Sequence, residues 1–241
     1  MTDGSQDTQG TVLVVGGTGK TGRRIVERLQ ARGVPVRSGS RSAEPPFDWE
    51  DRSTWAPALE GASAAYVSYY PDLAVPGAPE AVGAFAEQAA AGGVRRLVLL
   101  SGRGEEEAQR AERAVQEADL EWTVVRCSWF NQNFSENYLL EPILAGEVAL
   151  PAGEVPEPFV DAADIADVAV AALTEDGHES RVYELTGPRL LTYLFCEVLD
   201  GRNAHLTDGI QRALGREPRD FADYARDAAA TGVWDASTVS Q

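Results

Sequence analysis

The chain has 241 residues, 44% hydrophobic and 24% charged, which suits one globular domain with room for a small added lobe. Its 21 basic and 38 acidic side chains leave a formal net charge of −17, a surface that repels nucleic acid and anionic lipid and sets both aside as partners. Cys127 and Cys196 make no disulfide framework, His178 and His205 join no Cys/His cluster that would hold a metal, and no apolar run reaches membrane-span length. The expectation is a cytoplasmic protein without a metal site, acting on a small molecule.

Residues 1–10 are polar, lack the basic-then-apolar order of a secretory signal, and read as a flexible leader. The apolar run at 11–16 predicts a buried strand. A helix follows over 20–32, with Ile25, Val26 and Leu29 on one face and Gly33 as its stop. Residues 34–40 read as a second strand, 45–49 as a short third, 53–59 as a short helix and 64–70 as a fourth strand. The Ala-rich segment 78–91 is helical, 95–102 is a fifth strand, 105–118 a charged helix and 122–128 a sixth strand. Continuous apolar strands between helices imply a parallel sheet covered on both faces. The pattern then loosens: a helix over 137–145, a Pro-rich extended stretch over 148–160, a helix over 162–173 and a strand over 181–187. Beyond 190 only helices are predicted, over 190–199, 207–214 and 220–231, with 234–241 frayed. The fold class is therefore α/β: a Rossmann-type doubly wound parallel sheet over 11–189, including a substrate-side excursion at 129–160, and a small, mostly helical C-terminal lobe over 190–241.

The first turn, Val14 to Arg24, contains Gly19-Lys20-Thr21, which could end an ATP-binding P-loop. That register requires glycine at position 14, and Val14 stands there, inside the strand. The other register works. Gly16, Gly19 and Gly22 follow the first strand and open the first helix, so that Gly16 makes the tight turn, Gly19 leaves room for phosphates and Gly22 lets the helix pack closely. The helix N-terminus then offers free N–H groups to a pyrophosphate. NAD binders place an acid at the end of the second strand for the ribose 2′-OH. Here the strand ends Ser38-Gly39-Ser40-Arg41, and Arg41, helped by Ser40, Arg37 or Lys20, suits a 2′-phosphate, so NADP(H) is favoured over NAD(H). Asp48 falls near the adenine or serves as a cap.

Short-chain reductases relay a proton through Tyr-x-x-x-Lys, but Lys20 is the single lysine of this chain and lies in the phosphate turn, so composition excludes that pair. No G-x-S-x-G elbow is present either. Among Tyr66, Tyr69 and Tyr70, one facing the cofactor could donate a hydrogen bond or stack, and core packing is the alternative. Asn131 and Asn133 could orient a carbonyl or cap a loop. Asp161 and Asp164 read as helix caps, 102–119 as a solvated charged face, Cys127 as a small buried filler and Arg103 as a surface residue more than an anion holder.

The segments GGTGKTGRR, FDW (Phe47–Trp49), RLVLLSGRG, WTVVRCSWFNQNF and PFVDAADIADVAVAAL together resemble the NmrA-like branch of the atypical short-chain dehydrogenase/reductases. The turn Ser38–Arg41 and the FDW are most similar to bacterial relatives of the ergot-alkaloid reductase group. The resemblance covers roughly 11–192 and resumes in the last helices. It implies that Gly16, Thr18, Gly19, Lys20, Thr21 and Gly22 line the phosphates, Arg41, Asp48 and Trp49 the adenosine end, and Ser68 to Tyr70 the nicotinamide ribose. It further implies Ser101 and Gly102 at the nicotinamide and Trp129, Phe130, Asn131 and Asn133 on the substrate wall. On this reading Ser101, Tyr69 and Asn131 are the catalytic candidates. Compared with that branch, Thr192 runs straight into Tyr193, which shortens the C-terminal substrate lobe and leaves the pocket open, reshaped or completed by a second subunit in a homodimer. The function implied is an NADP(H)-dependent reductase of a small conjugated, quinone-like or imine-like substrate. The alternatives are a non-catalytic NADP(H)-sensing regulator and a biosynthetic enzyme running a non-redox cyclisation or isomerisation.

Overall fold

The apolar run Val12–Val15 is buried on both faces, so it needs strand neighbours on each side and helices above and below. The computed structural model, which describes residues 10–136, 139–147, 157–188 and 205–235, supplies both. The strands are β1 (Thr11–Val15), β2 (Val36–Gly39), β3 (Ala62–Val67), β4 (Arg96–Gly102), β5 (Glu121–Cys127) and β6 (Arg181–Leu185). They form one sheet in the order β2-β1-β3-β4-β5-β6, every pairing parallel. The chain winds one way from β1 to β2 and the other way from β3 onward. The direction reverses between β1 and β3, which opens a crevice at their carboxyl ends.

Strand alternation divides the core. Val12, Val14, Tyr66 and Val98 face the side covered by α1 (Lys20–Ala31) and α6 (Ala162–Thr174). Leu13, Val15, Leu97 and Leu99 face the side covered by α2 (Trp55–Leu59), α3 (Ala78–Ala91) and α4 (Glu106–Gln116). The short helices α5 (Leu140–Leu144) and α7 (Gly209–Leu214) and the longer α8 (Phe221–Ala230) complete the described helices. None of them is long and apolar enough to cross a membrane.

Several expectations need correction. Residues 45–49 form no strand. Pro45 and Pro46 cannot donate to a ladder, and Phe47 instead turns into an aromatic cluster with Trp49, Trp55 and Phe85. The segment 102–119 is not wholly solvated, since Glu112 is only 2% exposed. Trp234 is docked, its indole N–H donating to the Phe134 carbonyl at 2.9 Å. Asp161 caps α6 by accepting from Ala163 N, as predicted. Asp164, by contrast, is fully buried one turn on and pairs with Arg216 and Arg219. This pair of arginines ties the segment between α7 and α8 to α6, and Ile210 of α7 enters the main core. The predicted helix over 190–199 and the extended stretch over 148–156 lie outside the described residues.

Candidate active site

The turn between β1 and α1 is built around glycine. Gly16 has φ +75, a left-handed conformation that favours glycine. Its N–H donates to the Gly39 carbonyl at the end of β2, and its own carbonyl accepts from Gly19 N, each at 2.9 Å. A methyl group on Gly22 would lie 2.1 Å from the Gly16 oxygen, so α1 approaches the turn as closely as backbone permits. α1 begins without a side-chain cap and without an acid in its first turn. The amides of Lys20, Thr21 and Gly22 therefore have no acceptor among the described residues and carry the positive end of the helix dipole. These features fit a pyrophosphate, which would accept from those amides where a side chain would otherwise intrude.

The same geometry disposes of a P-loop reading. Thr21 is buried, and its hydroxyl oxygen accepts from the Tyr66 hydroxyl at 2.8 Å, on the side of the helix that faces the sheet. Burial raises the Tyr66 pKa, so this phenol stays protonated. Lys20 points across the crevice to donate to Asn133 Oδ1 at 3.0 Å, and desolvation lowers its pKa. Arg23 and Arg24 both engage Glu136. The phosphate turn is thus fastened to the 131–136 segment that follows β5.

At the β2 edge Ser40 Oγ lies 3.3 Å from Ser42 Oγ. Arg41 is exposed and takes part in no hydrogen bond or ion pair with the described residues. Arg37, an alternative phosphate ligand on sequence grounds, donates instead to the carbonyls of Ala58 and Glu60. Asp48 closes a turn: its Oδ1 accepts from Glu50 N, and its carbonyl accepts from the Trp55 indole. Trp49 lies against Tyr69, with ring centroids 4.8 Å apart, and donates its indole N–H to the Ser68 carbonyl at 3.3 Å. Trp49, Ser68 and Tyr69 therefore form one wall beyond β2 and β3. Tyr70 stands outside it, 71% exposed.

The ends of β4 and β5 hold a charged network that the sequence did not announce. Ser101 shares the strand face of Leu97 and Leu99 and donates its hydroxyl to Glu112 Oε1 on α4 at 2.5 Å. Ser101 thus directs its hydroxyl hydrogen bond to α4 and not to the crevice. Glu112 also binds Arg126 of β5, whose other nitrogen reaches Glu184 of β6 at 2.7 Å. The Glu112 hydrogen bond, chiefly, raises the Arg126 pKa. Arg103, just beyond β4, is 5% exposed and not the surface residue expected. Its guanidinium donates to Ser128 Oγ and contacts His205, each at 3.0 Å. Cys127 is a buried filler whose thiol pKa is pushed up by burial.

On the opposite wall Phe130 bridges to Val160, and Asn131 N donates to the Val160 carbonyl at 2.9 Å. The Asn131 side chain is 0% exposed, yet neither its amide nitrogen nor its oxygen has a hydrogen-bond partner among the described residues. An unsatisfied buried amide costs about 1–3 kcal/mol, so such a group calls for a ligand or water. Gln132, its neighbour, is used up in capping α6. Sequence reading missed Glu105, at the N-cap of α4, because it begins a run of acids that looks like a solvated face. Its carboxyl lies where a side chain on Gly102 would go, 2.1 Å from that hypothetical Cβ.

A switch-point crevice with a glycine turn under a bare helix N-terminus defines a Rossmann-type dinucleotide-binding protein. Comparison with known proteins agrees: the NAD(P)H-binding family profile matches residues 16–176, and the chain belongs to that family. It is 30% identical to the uncharacterized oxidoreductase YesF of Bacillus subtilis, over 94% of this chain and 98% of that protein. It is 34% identical to agroclavine dehydrogenase of Claviceps fusiformis, over 81% and 75%. The YesF alignment spans 283 positions, more than this chain has residues, so that relative carries segments absent here. Among solved structures, triphenylmethane reductase of Citrobacter sp. complexed with NADP(H) shares the fold, with a TM-score of 0.69 at 17% identity, covering 90% of this chain and 99% of that one.

Proposed function

We propose that the protein is an NADP(H)-dependent reductase of a small conjugated molecule, quinone-like or imine-like. The observation that carries the cofactor preference is Arg41: an exposed guanidinium with no partner among the described residues, two residues past the end of β2, where a carboxylate would select NAD(H). When bound, the reduced nicotinamide supplies a hydride. The protein's share is to hold and orient. The amides of Lys20, Thr21 and Gly22 hold the pyrophosphate, and Ser40 and Arg41 take the 2′-phosphate. Asp48 and Trp49 flank the adenosine, and Ser68 and Tyr69 line the way towards the ends of β3 and β4. Tyr70 enters only at the rim. Gly102, at the nicotinamide end of β4, leaves room for the Glu105 carboxyl there, while Ser101, through Glu112, fixes the strand end as a positioning residue. Asn131 orients the polar end of the substrate, satisfying its own buried amide as it does so. The two relatives described above as oxidoreductase and dehydrogenase, and the NADP(H)-complexed reductase of like fold, support this reading.

Two outcomes test it. The purified protein should oxidise NADPH, followed by loss of absorbance at the reduced-nicotinamide band, with at least one member of a panel of quinones and cyclic imines. No turnover with any acceptor would refute the reductase reading. Arg41→Ala should weaken NADPH binding by roughly tenfold or more, the worth of one charge-assisted contact, and leave NADH binding nearly unchanged. Equal losses for both cofactors, measured by fluorescence titration, would refute the assignment of the 2′-phosphate to Arg41.

A further inference from the structure

Without a Tyr-x-x-x-Lys pair, and with Ser101 bonded to Glu112, the proposed reaction still needs a proton for the substrate heteroatom. We infer that Glu105 is the proton donor for the reductive step, placed by the turn after β4 so that its carboxyl covers the backbone of Gly102 at the nicotinamide end of the crevice. This rests on the reductase reading above.

The geometry is specific. Glu105 occupies the N-cap position of α4, yet its side chain makes no cap hydrogen bond. It turns back over the strand end, where only glycine at 102 leaves it room. Its carboxyl joins no ion pair and accepts no hydrogen bond among the described residues, unlike Glu107, which pairs with Arg110. The nearby cation does not reach it, because the Arg103 guanidinium is turned to Ser128 and His205. The charged group that acts on it is Asp72, on the connection between β3 and α3, while Glu106 is exposed. Burial first, and the Asp72 charge second, push the Glu105 carboxyl up to about 7. It is therefore partly protonated at neutral pH, the condition for a useful general acid.

In the step, the Oε–H bond of Glu105 breaks and a new N–H or O–H bond forms on the substrate heteroatom. That atom holds the electron pair released when its conjugated carbon gains a C–H bond from the hydride of the reduced nicotinamide. Glu105 is left as the carboxylate and recovers a proton from water.

The test has two readouts. In the cofactor-free protein, carbon-13 NMR of the glutamate carboxyls, with Glu105 assigned by its absence in Glu105→Gln, should show a midpoint near pH 7 that falls in Asp72→Asn. In turnover with NADPH and a p-quinone or a cyclic imine, wild-type kcat should decline as pH rises through that midpoint, because the acid form is lost. Glu105→Gln should lower kcat roughly a hundredfold, the scale of a lost general acid, with a flat pH profile and an NADPH Kd within twofold of wild type. A Glu105 midpoint at the ordinary carboxylate value, or a variant with wild-type kcat and pH dependence, overturns the assignment and leaves the reductase reading intact. Wild-type protein that turns over no acceptor sinks both.

Discussion

Replacing Gly22 with valine is expected to abolish dinucleotide binding. Even a single methyl at this position would sit 2.1 Å from the Gly16 carbonyl oxygen and 2.8 Å from the Gly17 Cα, both backbone atoms that cannot swing aside. α1 must then withdraw from the turn, and its first-turn amides withdraw with it. Each amide-to-phosphate bond is worth about 1.5–3 kcal/mol, so losing two weakens binding by roughly a hundredfold or more. Overpacking itself costs about 1–3 kcal/mol, which a protein of this size can tolerate. Circular dichroism should show a folded variant with a lowered melting temperature, and fluorescence titration with NADPH should show no saturable binding. A folded Gly22→Val protein with wild-type affinity would mean that the turn is not the phosphate site.

Glu112→Ala is expected to produce the largest loss of stability. Glu112 sits 2% exposed and receives Ser101 Oγ at 2.5 Å and two nitrogens of Arg126, at 2.9 and 2.5 Å. Removing the acid leaves a guanidinium paired, among the described residues, only with Glu184, which is itself partly exposed. Breaking a buried pair from one side costs about 3–5 kcal/mol. For a chain of this length that is a drop of roughly 6–20 °C in melting temperature. Arg126 keeps some access to water, which favours the lower half of that range. The double variant Glu112→Met with Arg126→Met should recover most of the loss, since it leaves no stranded charge. Calorimetry on the two variants decides the point: a small shift for Glu112→Ala, or an additive loss in the double variant, would contradict a coupled buried pair.

The fold was legible because its strongest signals are local. The continuous apolar strands, the glycine triad and the 3.6-residue face of α1 each follow from backbone geometry and burial, and each landed within a few residues of its observed place. The Pro45–Trp49 error has a similar local origin: Phe47 and Trp49 carry strand propensity, but the two prolines deny the ladder and the rings find partners in Trp55 and Phe85 instead. What could not be read were pairings across the sheet. Ser101, Glu112, Arg126 and Glu184 are separated by 11 to 58 residues along the chain, and no sequence pattern says that α4 will turn one of its many acids inward. The same holds for Glu105, hidden in a run of three glutamates whose neighbours are exposed or paired at the surface. Asn131 was read as orienting a carbonyl or capping a loop, but only the folded structure shows that its amide is buried and has no partner among the described residues.

The most direct test of the whole account is a crystal structure of the protein soaked with NADPH. The expected result is pyrophosphate oxygens within hydrogen-bond distance of the Lys20, Thr21 and Gly22 amides, the 2′-phosphate against Arg41, and the nicotinamide ring beyond the end of β4, facing the Glu105 carboxyl that covers Gly102. Well-ordered crystals in which NADPH binds elsewhere, or in which the glycine turn is filled by the protein's own side chains, would contradict it.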